Sequence, residues 1–207
     1  MRNIILEIYR IAARVGIATC LVATVAHGQT PASRRPDSVD VVVDFFPSGM
    51  MGDGAGAAGK THVIWNNGWV KDCVGAPPCV QVTYTPGDSG WAGMYLQYPS
   101  GNWGEFPGRN LGGFRKLSFF ARADVPTVIQ FSAGGIDARR SHATWRYYDS
   151  FEAGLRPVLL TPAWKQFEID LAGKDLAQVI GAFEWRATQA ASPKGATFYL
   201  DRILYVK

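Results

Sequence analysis

Residues 164–171, WKQFEIDL, decide the fold class. The apolar residues Phe167, Ile169 and Leu171 alternate with polar ones in this stretch. Successive side chains of a β-strand point to opposite faces of its sheet. The alternation therefore predicts a strand with one buried face and one solvent-facing face.

Similar patterns recur on both sides of this stretch. Alternating or continuous apolar runs predict further strands at residues 80–85, 91–98, 116–122, 127–133, 155–160, 181–187 and 197–206. Gly- and Pro-rich turns separate them, and no segment keeps a helical apolar period over three turns. Many short strands joined by such turns predict an all-β sandwich or barrel.

The last predicted strand has an irregularity at Asp201 and Arg202. Phe198 and Leu200 share one face of a regular strand, whereas Ile203 and Tyr205 share the other. A β-bulge between the two pairs would re-aim the chain. A strand that is buried on both faces explains the pattern equally well.

The N-terminus has the layout of a secretory signal peptide, which we predict to be residues 1–28. Three arginines precede an apolar run at residues 16–26, and small residues stand before a cleavage point after Gly28. The alternatives are a membrane anchor or lipidation of Cys20. The run of about 11 residues is short of the roughly 20 that span a bilayer. We therefore expect a secreted, periplasmic or cell-envelope protein with no membrane span after signal removal.

Residues 29–40 are polar and contain proline, which predicts a flexible leader before one domain at residues 41–207. Loss of the signal leaves 18 basic and 16 acidic residues. This near-neutral balance argues against a nucleic-acid partner, because phosphate binding needs clustered Lys and Arg. The sequence predicts no oligomeric state.

Two cysteines, Cys73 and Cys79, remain in the predicted exported chain. An even pair in such a chain predicts a disulfide, which would close the turn sequence between them. A metal site is the alternative, but two thiolates alone fall short of the four ligands that zinc usually takes.

Three further stretches of the chain are distinctive: residues 45–53 (FFPSGMMGD), 90–97 (GWAGMYLQ) and 102–104 (NWG). Together they resemble bacterial exported proteins with galactose-binding-like jelly rolls. Residues 164–171 and 198–203 (FYLDRI) are similar to the closing strands of carbohydrate-binding modules of that superfamily. The resemblance covers residues 41–207. It implies a jelly-roll β-sandwich of two antiparallel sheets and a non-catalytic domain that binds a glycan or polysaccharide.

Modules of this kind commonly hold a structural calcium ion between their first and last strands. The matching carboxylates would be Asp44, at the end of the first expected strand, and Asp201 in the last. Members often have a second Asp before the final Ile, where this chain has Arg202. Calcium needs six to eight oxygen ligands, so the sequence shows only part of any such site.

Exposed aromatic rings beside polar groups suit a sugar-binding surface, because flat rings cover the C–H face of a sugar. The chain has seven Trp and eight Tyr. Polar or Gly-rich surroundings mark seven candidate ligand-binding residues: Trp65, Trp69, Asn102, Trp103, Trp145, Tyr148 and Asp149. We expect Phe119, Phe167, Trp164 and Trp185 to pack in the core. Asp149 has an alternative role as a surface partner of Arg146.

Two other functions compete with glycan binding. A glycan hydrolase or lyase would use two of the four candidate carboxylates Glu105, Asp149, Glu152 and Glu184. No catalytic sequence motif supports an enzyme, and we expect none of these residues to be catalytic. A structural or protein-binding envelope domain would instead pack all its aromatic residues inside.

Overall fold

The computed structural model describes residues 37–55, 62–137, 139 and 144–207. The predicted signal peptide, residues 1–28, and most of the predicted leader lie outside the described residues. Among the described residues, no helix is long and apolar enough to cross a membrane.

The described chain forms two antiparallel six-stranded sheets, so the predicted all-β sandwich is confirmed. Sheet A contains, in spatial order, β10 (Lys165–Asp170), β6 (Lys116–Ala123), β12 (Ala196–Val206), β4 (Cys79–Tyr84) and β3 (Val63–Trp69), with β1 (Ser38–Asp40) also paired to β12. Sheet B contains β2 (Phe46–Gly52), β5 (Trp91–Gln97), β11 (Gly181–Thr188), β7 (Thr127–Gly134) and β8 (Glu152–Gly154), with β9 (Val158–Leu160) also paired to β7.

The core lies between the sheets and is rich in phenylalanine. The ring of Phe119 from sheet A lies 4.8 Å from Phe131 and 5.1 Å from Phe183, both on sheet B. Phe167 stacks on Phe119 at 5.7 Å, and Trp185 is fully buried. The core prediction is therefore confirmed for Phe119, Phe167 and Trp185.

The prediction was wrong for Trp164, which is half-buried on the outer face of sheet A. Its indole Nε1 donates to the carbonyl oxygen of Asp72 at 2.7 Å. The guanidinium of Arg122 lies 5.4 Å from its ring centroid. Trp164 precedes β10, so the alternation of that strand does not determine the face of sheet A on which the Trp164 side chain lies.

The expected first strand is one turn of helix, α1 (Val41–Asp44). Asp40 caps this helix by accepting a hydrogen bond from the backbone N–H of Val42 at 2.9 Å. Strand β1 lies within the predicted leader, and its pairing with β12 adds Ser38–Asp40 to the sandwich.

Two other strand predictions differ from the structure. Residues Val63–Trp69, for which the sequence predicts no strand, form strand β3, with a register shift between Asn66 and Trp69. Of the strand expected at residues 155–160, only Val158–Leu160 forms a strand, β9, and β8 ends before it at Gly154. Pro157 lies between them and has no backbone N–H to donate to β7.

The irregularity in β12 is a bulge. The register against β6 shifts between Asp201 and Leu204, and Arg202 has a φ of 50°. The shift turns Ile203 back toward the core, so that residues on both sides of the bulge are buried. Of the two interpretations that the sequence left open, the bulge is correct.

The predicted disulfide between Cys73 and Cys79 is present. It closes the loop that leads into β4. The carboxylate of Asp201 accepts hydrogen bonds from the N–H groups of Val74 and Gly75 in this loop. The bulge of β12 therefore anchors the loop as well.

Candidate ligand-binding groove

The outer face of sheet B carries a row of polar side chains. Phe183, Trp185 and Ala187 of β11 point into the core, so Glu184 and Arg186 point outward. Across the sheet, Tyr95 and Ser132 flank Glu184, whereas Gly93 and Gln130 flank Arg186. All of these residues except Gly93 line a groove of about 750 Å³ that is open to solvent.

A fixed polar network forms the floor of the groove. Ser132 Oγ donates to Glu184 Oε2, and Arg186 donates to Glu184 Oε1 at 2.9 Å. The Arg186 guanidinium also lies 4.9 Å from the ring centroid of Trp91. Glu184 is buried and Arg186 is partly exposed. Both groups are therefore oriented before any ligand arrives.

Further charged groups line the same groove. Glu152 of β8 and Arg156, which follows that strand, both contribute to its wall. A neighbouring cavity of about 410 Å³ shares Glu152 and also contains Tyr148 and Asp149. The two cavities together extend the polar surface toward the loops at one end of the sheet.

Tyr95 lines the groove, and Trp103 packs against it. Their rings meet edge to face with centroids 6.1 Å apart, and Ile136 and Ile180 pack against them. The Tyr95 hydroxyl donates to the carbonyl oxygen of Gly134 at 3.2 Å. Burial and the nearby charge of Glu184 raise the Tyr95 pKa, so the hydroxyl stays protonated.

Asn102 shapes the loop that carries Trp103. Its side-chain nitrogen donates to the carbonyl oxygens of Tyr98 and Phe106, and its oxygen accepts from the N–H groups of Gly104 and Phe106. The residue has no exposed surface. The structure therefore contradicts direct ligand contact by Asn102, because the amide is used within the loop.

A second loop packs beside the first. The N–H groups of Arg146 and Tyr147 both donate to the carbonyl oxygen of Gly104, at 3.2 and 3.1 Å. Trp145 is half-buried, and Tyr148 is 40% exposed. The Arg139 guanidinium lies 3.4 Å from the Tyr148 ring centroid. Tyr148 lines the neighbouring cavity, and the hydrogen bonds to Gly104 place the loop of Trp145 and Tyr148 beside the loop that carries Trp103.

Asp149 fastens this second loop to the sheet. Its carboxylate accepts hydrogen bonds from the N–H groups of Ile136, Ile180 and Gly181, and only 8% of the residue is exposed. Burial raises its pKa to about 7, although these N–H donors oppose the rise. Asp149 is therefore a buried anchor and not the surface partner of Arg146 that the sequence allowed.

Trp65 and Trp69 do not join the groove, because β3 belongs to sheet A. Trp65 lies opposite Val82, faces inward and packs against the core. Trp69 lies on the outer face of sheet A, where its ring is 5.5 Å from that of Tyr199. Its Nε1 donates to the carbonyl oxygen of Lys71 at 2.9 Å.

The two carboxylates predicted to hold calcium have protein partners. Asp44 forms an ion pair with Arg109, which already balances its charge. Asp201 accepts the two loop hydrogen bonds described above. Among the described residues, Asp44 belongs to no group of three metal-ligating side chains. The arrangement does not fit a calcium ligand at Asp44, and the calcium site stays a prediction.

Sequence reasoning missed most of the groove. The sequence gives no reason to choose Gln130, Ser132 or Arg186, and it indicates Glu152 and Glu184 only as candidate carboxylates of an enzyme. The available signal was polar residues at alternate positions of otherwise apolar strands. In β11, Glu184 and Arg186 interrupt such a run.

Comparison with known proteins identifies this architecture. No protein-family model matches the chain, and no curated protein matches it significantly. Among solved structures, a family 30 carbohydrate-binding module matches with a TM-score of 0.51 at 14% identity, over 84% of this chain and 90% of that chain. The chain has the jelly-roll, galactose-binding-like fold of such modules.

Two further modules from Clostridium thermocellum cellulases are similar. The family 30 module of a cellulosomal cellulase has a TM-score of 0.50 at 12% identity and covers 81% of this chain and 95% of that chain. A family 11 module has a TM-score of 0.47 at 16% identity, over 81% of this chain and 92% of that chain. At these identities the likeness extends to the fold alone.

Proposed function

We propose that the protein is a non-catalytic carbohydrate-binding domain that holds a glycan in the groove on sheet B. The observation that carries this proposal is the packed ring pair of Tyr95 and Trp103 beside the oriented Glu184–Arg186 pair. The structural neighbours named as carbohydrate-binding modules support it.

The groove has the chemistry that a sugar chain requires. Partly exposed rings at one end offer flat apolar surface for the C–H face of a sugar ring. Carboxylate, guanidinium, amide and hydroxyl groups along the floor suit sugar hydroxyls. Because several of these groups are already fixed, a ligand orders few side chains on binding.

Trp103 and Trp69 provide a matched test. Both indoles are half-buried and pack on a tyrosine ring, but they lie on the outer faces of opposite sheets. We expect Trp103→Ala to weaken glycan binding about tenfold or more, the loss of roughly one good aromatic contact. Trp69→Ala should leave the affinity unchanged. A glycan array followed by titration calorimetry on one retained glycan measures both.

The reverse result would move the site to sheet A and overturn the proposed groove. If neither the wild type nor the variants bound any glycan, a structural or protein-binding domain would be the better account. Thermal melts of both variants verify that each remains folded.

The enzyme alternative rests on Glu152 and Glu184, which line the same groove. Glycoside hydrolysis needs an acid and a second carboxylate on either side of the bond. Both oxygens of Glu184 are engaged by Ser132 and Arg186, which favours a binding role for that carboxylate. The proposed function predicts no release of reducing ends from a glycan that the protein retains, and such release would contradict it.

The proposed setting is outside the cytoplasm, as a secreted, periplasmic or cell-envelope protein. The basic and apolar residues of the predicted signal, 1–28, support this setting. The disulfide is consistent with it, because structural disulfides persist in oxidising compartments.

A further inference from the structure

Three side chains of the kinds that bind metals lie together beside the disulfide loop. The sulfur atoms of Cys73 and Cys79 and a carboxylate oxygen of Asp201 all lie within 4.8 Å of one another. Cys79 and Asp201 are buried, and Cys73 is half-buried. The two sulfurs are bonded to each other, so neither can coordinate a cation in this state.

The loop is also held by contacts that do not involve sulfur. Asp201 Oδ2 accepts from the N–H of Val74 at 2.8 Å and from that of Gly75 at 3.1 Å. Trp164 Nε1 donates to the carbonyl oxygen of Asp72 at 2.7 Å. The second cysteine is the first residue of β4. Cleavage of the S–S bond therefore leaves both thiols close to the carboxylate.

We propose that Cys73, Cys79 and Asp201 form a latent site for a thiophilic divalent cation such as Zn²⁺, which the disulfide closes and reduction opens. Zn²⁺ accepts thiolate and carboxylate ligands, and a site with three protein ligands leaves the fourth position for water. The hydrogen bonds from Val74 and Gly75 both end on Asp201 Oδ2, which leaves Oδ1 for the metal. Asp201 thus supplies a third metal ligand beside the two cysteines.

Reduction and metal binding can be separated experimentally. A water-soluble phosphine supplies the two electrons that break the S–S bond and becomes a phosphine oxide. It takes the oxygen of one water molecule, and the two protons of that water convert the sulfurs to thiols. Zn²⁺ then displaces both thiol protons to the buffer, because the thiolate is the form that binds metal.

The test uses the full chain, reduced with phosphine under inert gas. Zn²⁺ binding is measured by calorimetry, and Cd²⁺ is added separately as a probe whose bond to thiolate absorbs in the ultraviolet. We expect one equivalent of metal on the reduced wild type. The oxidised protein and the Cys73→Ser/Cys79→Ser double variant should bind none at this site.

Asp201→Asn is the decisive variant. Its side-chain carbonyl can still accept from Val74 and Gly75, but the charge that would bind the metal is gone. We expect it to weaken Zn²⁺ binding at least about tenfold, since even indirect partners of metal ligands contribute that much. Circular dichroism of each reduced protein verifies the fold.

Three results would overturn the proposal. They are reduced wild type that binds no tighter than the double-serine variant, Asp201→Asn that binds as tightly as wild type, and a reduced wild type that has unfolded. None of them bears on the glycan groove, which lies on the other sheet.

Discussion

At the scale of single residues, Asp149 connects the fold to the groove. Its carboxylate joins the ends of β7 and β11 through the N–H groups of Ile136, Ile180 and Gly181. The loop that ends at Asp149 carries Trp145 and Tyr148. Because the buried carboxylate of Asp149 holds this loop, the ordering of the loop depends on whether that carboxylate is protonated.

The raised pKa of Asp149 gives stability a defined pH dependence. The carboxyl titrates near 3.8 when unfolded and near 7 when folded, so the folded state holds the proton more tightly between these values. The contribution of Asp149 is thus fully present below about pH 4 and is lost as the pH rises to about 7. The slope is at most about 1.4 kcal/mol per pH unit.

Denaturant unfolding of wild type and Asp149→Asn across this range measures the effect. The difference in free energy of unfolding, wild type minus variant, should fall as the pH rises. Asp88→Asn, at an exposed site, controls for the loss of one charge. A difference that stays constant or rises with pH would contradict the assignment.

At the scale of elements, the loop between β5 and β6 owes its shape to Asn102. Asn102→Ala leaves the carbonyl oxygens of Tyr98 and Phe106 and the N–H of Gly104 without their partner in a buried setting. We expect a loss of roughly 2–4 kcal/mol of stability. Glycan affinity should fall as well, because Trp103 is on this loop.

Asn110→Ala is the matched control for that loop. Asn110 is exposed, and its side chain accepts one hydrogen bond, from the N–H of Gly112 at 2.9 Å. Its loss should be at most about 1 kcal/mol. Thermal unfolding and hydrogen exchange at Gly104 and Phe106 distinguish the two variants. Equal losses would show that Asn102 has no special role.

The sequence predicts a strand correctly where the strand's own pattern of apolar residues matches the face that its sheet buries. It fails where contacts with distant residues determine the local structure. The alternation around Phe167 and Ile169 predicts β10 because only one of its faces is buried. Strand β3 has the turn-forming sequence Asn66–Asn67–Gly68, and its pairing with β4 overrides that preference.

The candidate site was predictable only in part, for the same reason. Trp103, Trp145 and Tyr148, which the sequence proposes as ligand contacts, are in two loops that pack against each other, and their contact with a ligand stays a prediction. Trp65 has equally polar neighbours, but strand pairing turns it inward. Which side a ring faces depends on register, and register depends on residues far away in the chain.

At the scale of the whole molecule, the two sheets have separate tasks. Sheet B presents the groove, whereas the disulfide loop and the packed rings of Trp69 and Tyr199 cover part of the outer face of sheet A. What joins them is the layer of phenylalanine rings between the sheets. The geometry of the groove therefore depends on a core that no ligand touches.

Phe119 and Phe120 test this dependence, because adjacent residues of β6 point to opposite faces of sheet A. Phe119 is fully buried against rings of both sheets, whereas Phe120 is half-buried on the outer face. We expect Phe119→Ala to lower the free energy of unfolding by about 3–5 kcal/mol and Phe120→Ala by about 1 kcal/mol. Urea unfolding followed by tryptophan fluorescence measures both. Similar losses of unfolding free energy in the two variants would show that packing of the sheets does not depend on Phe119. The inferred dependence of the groove on the core would then be wrong.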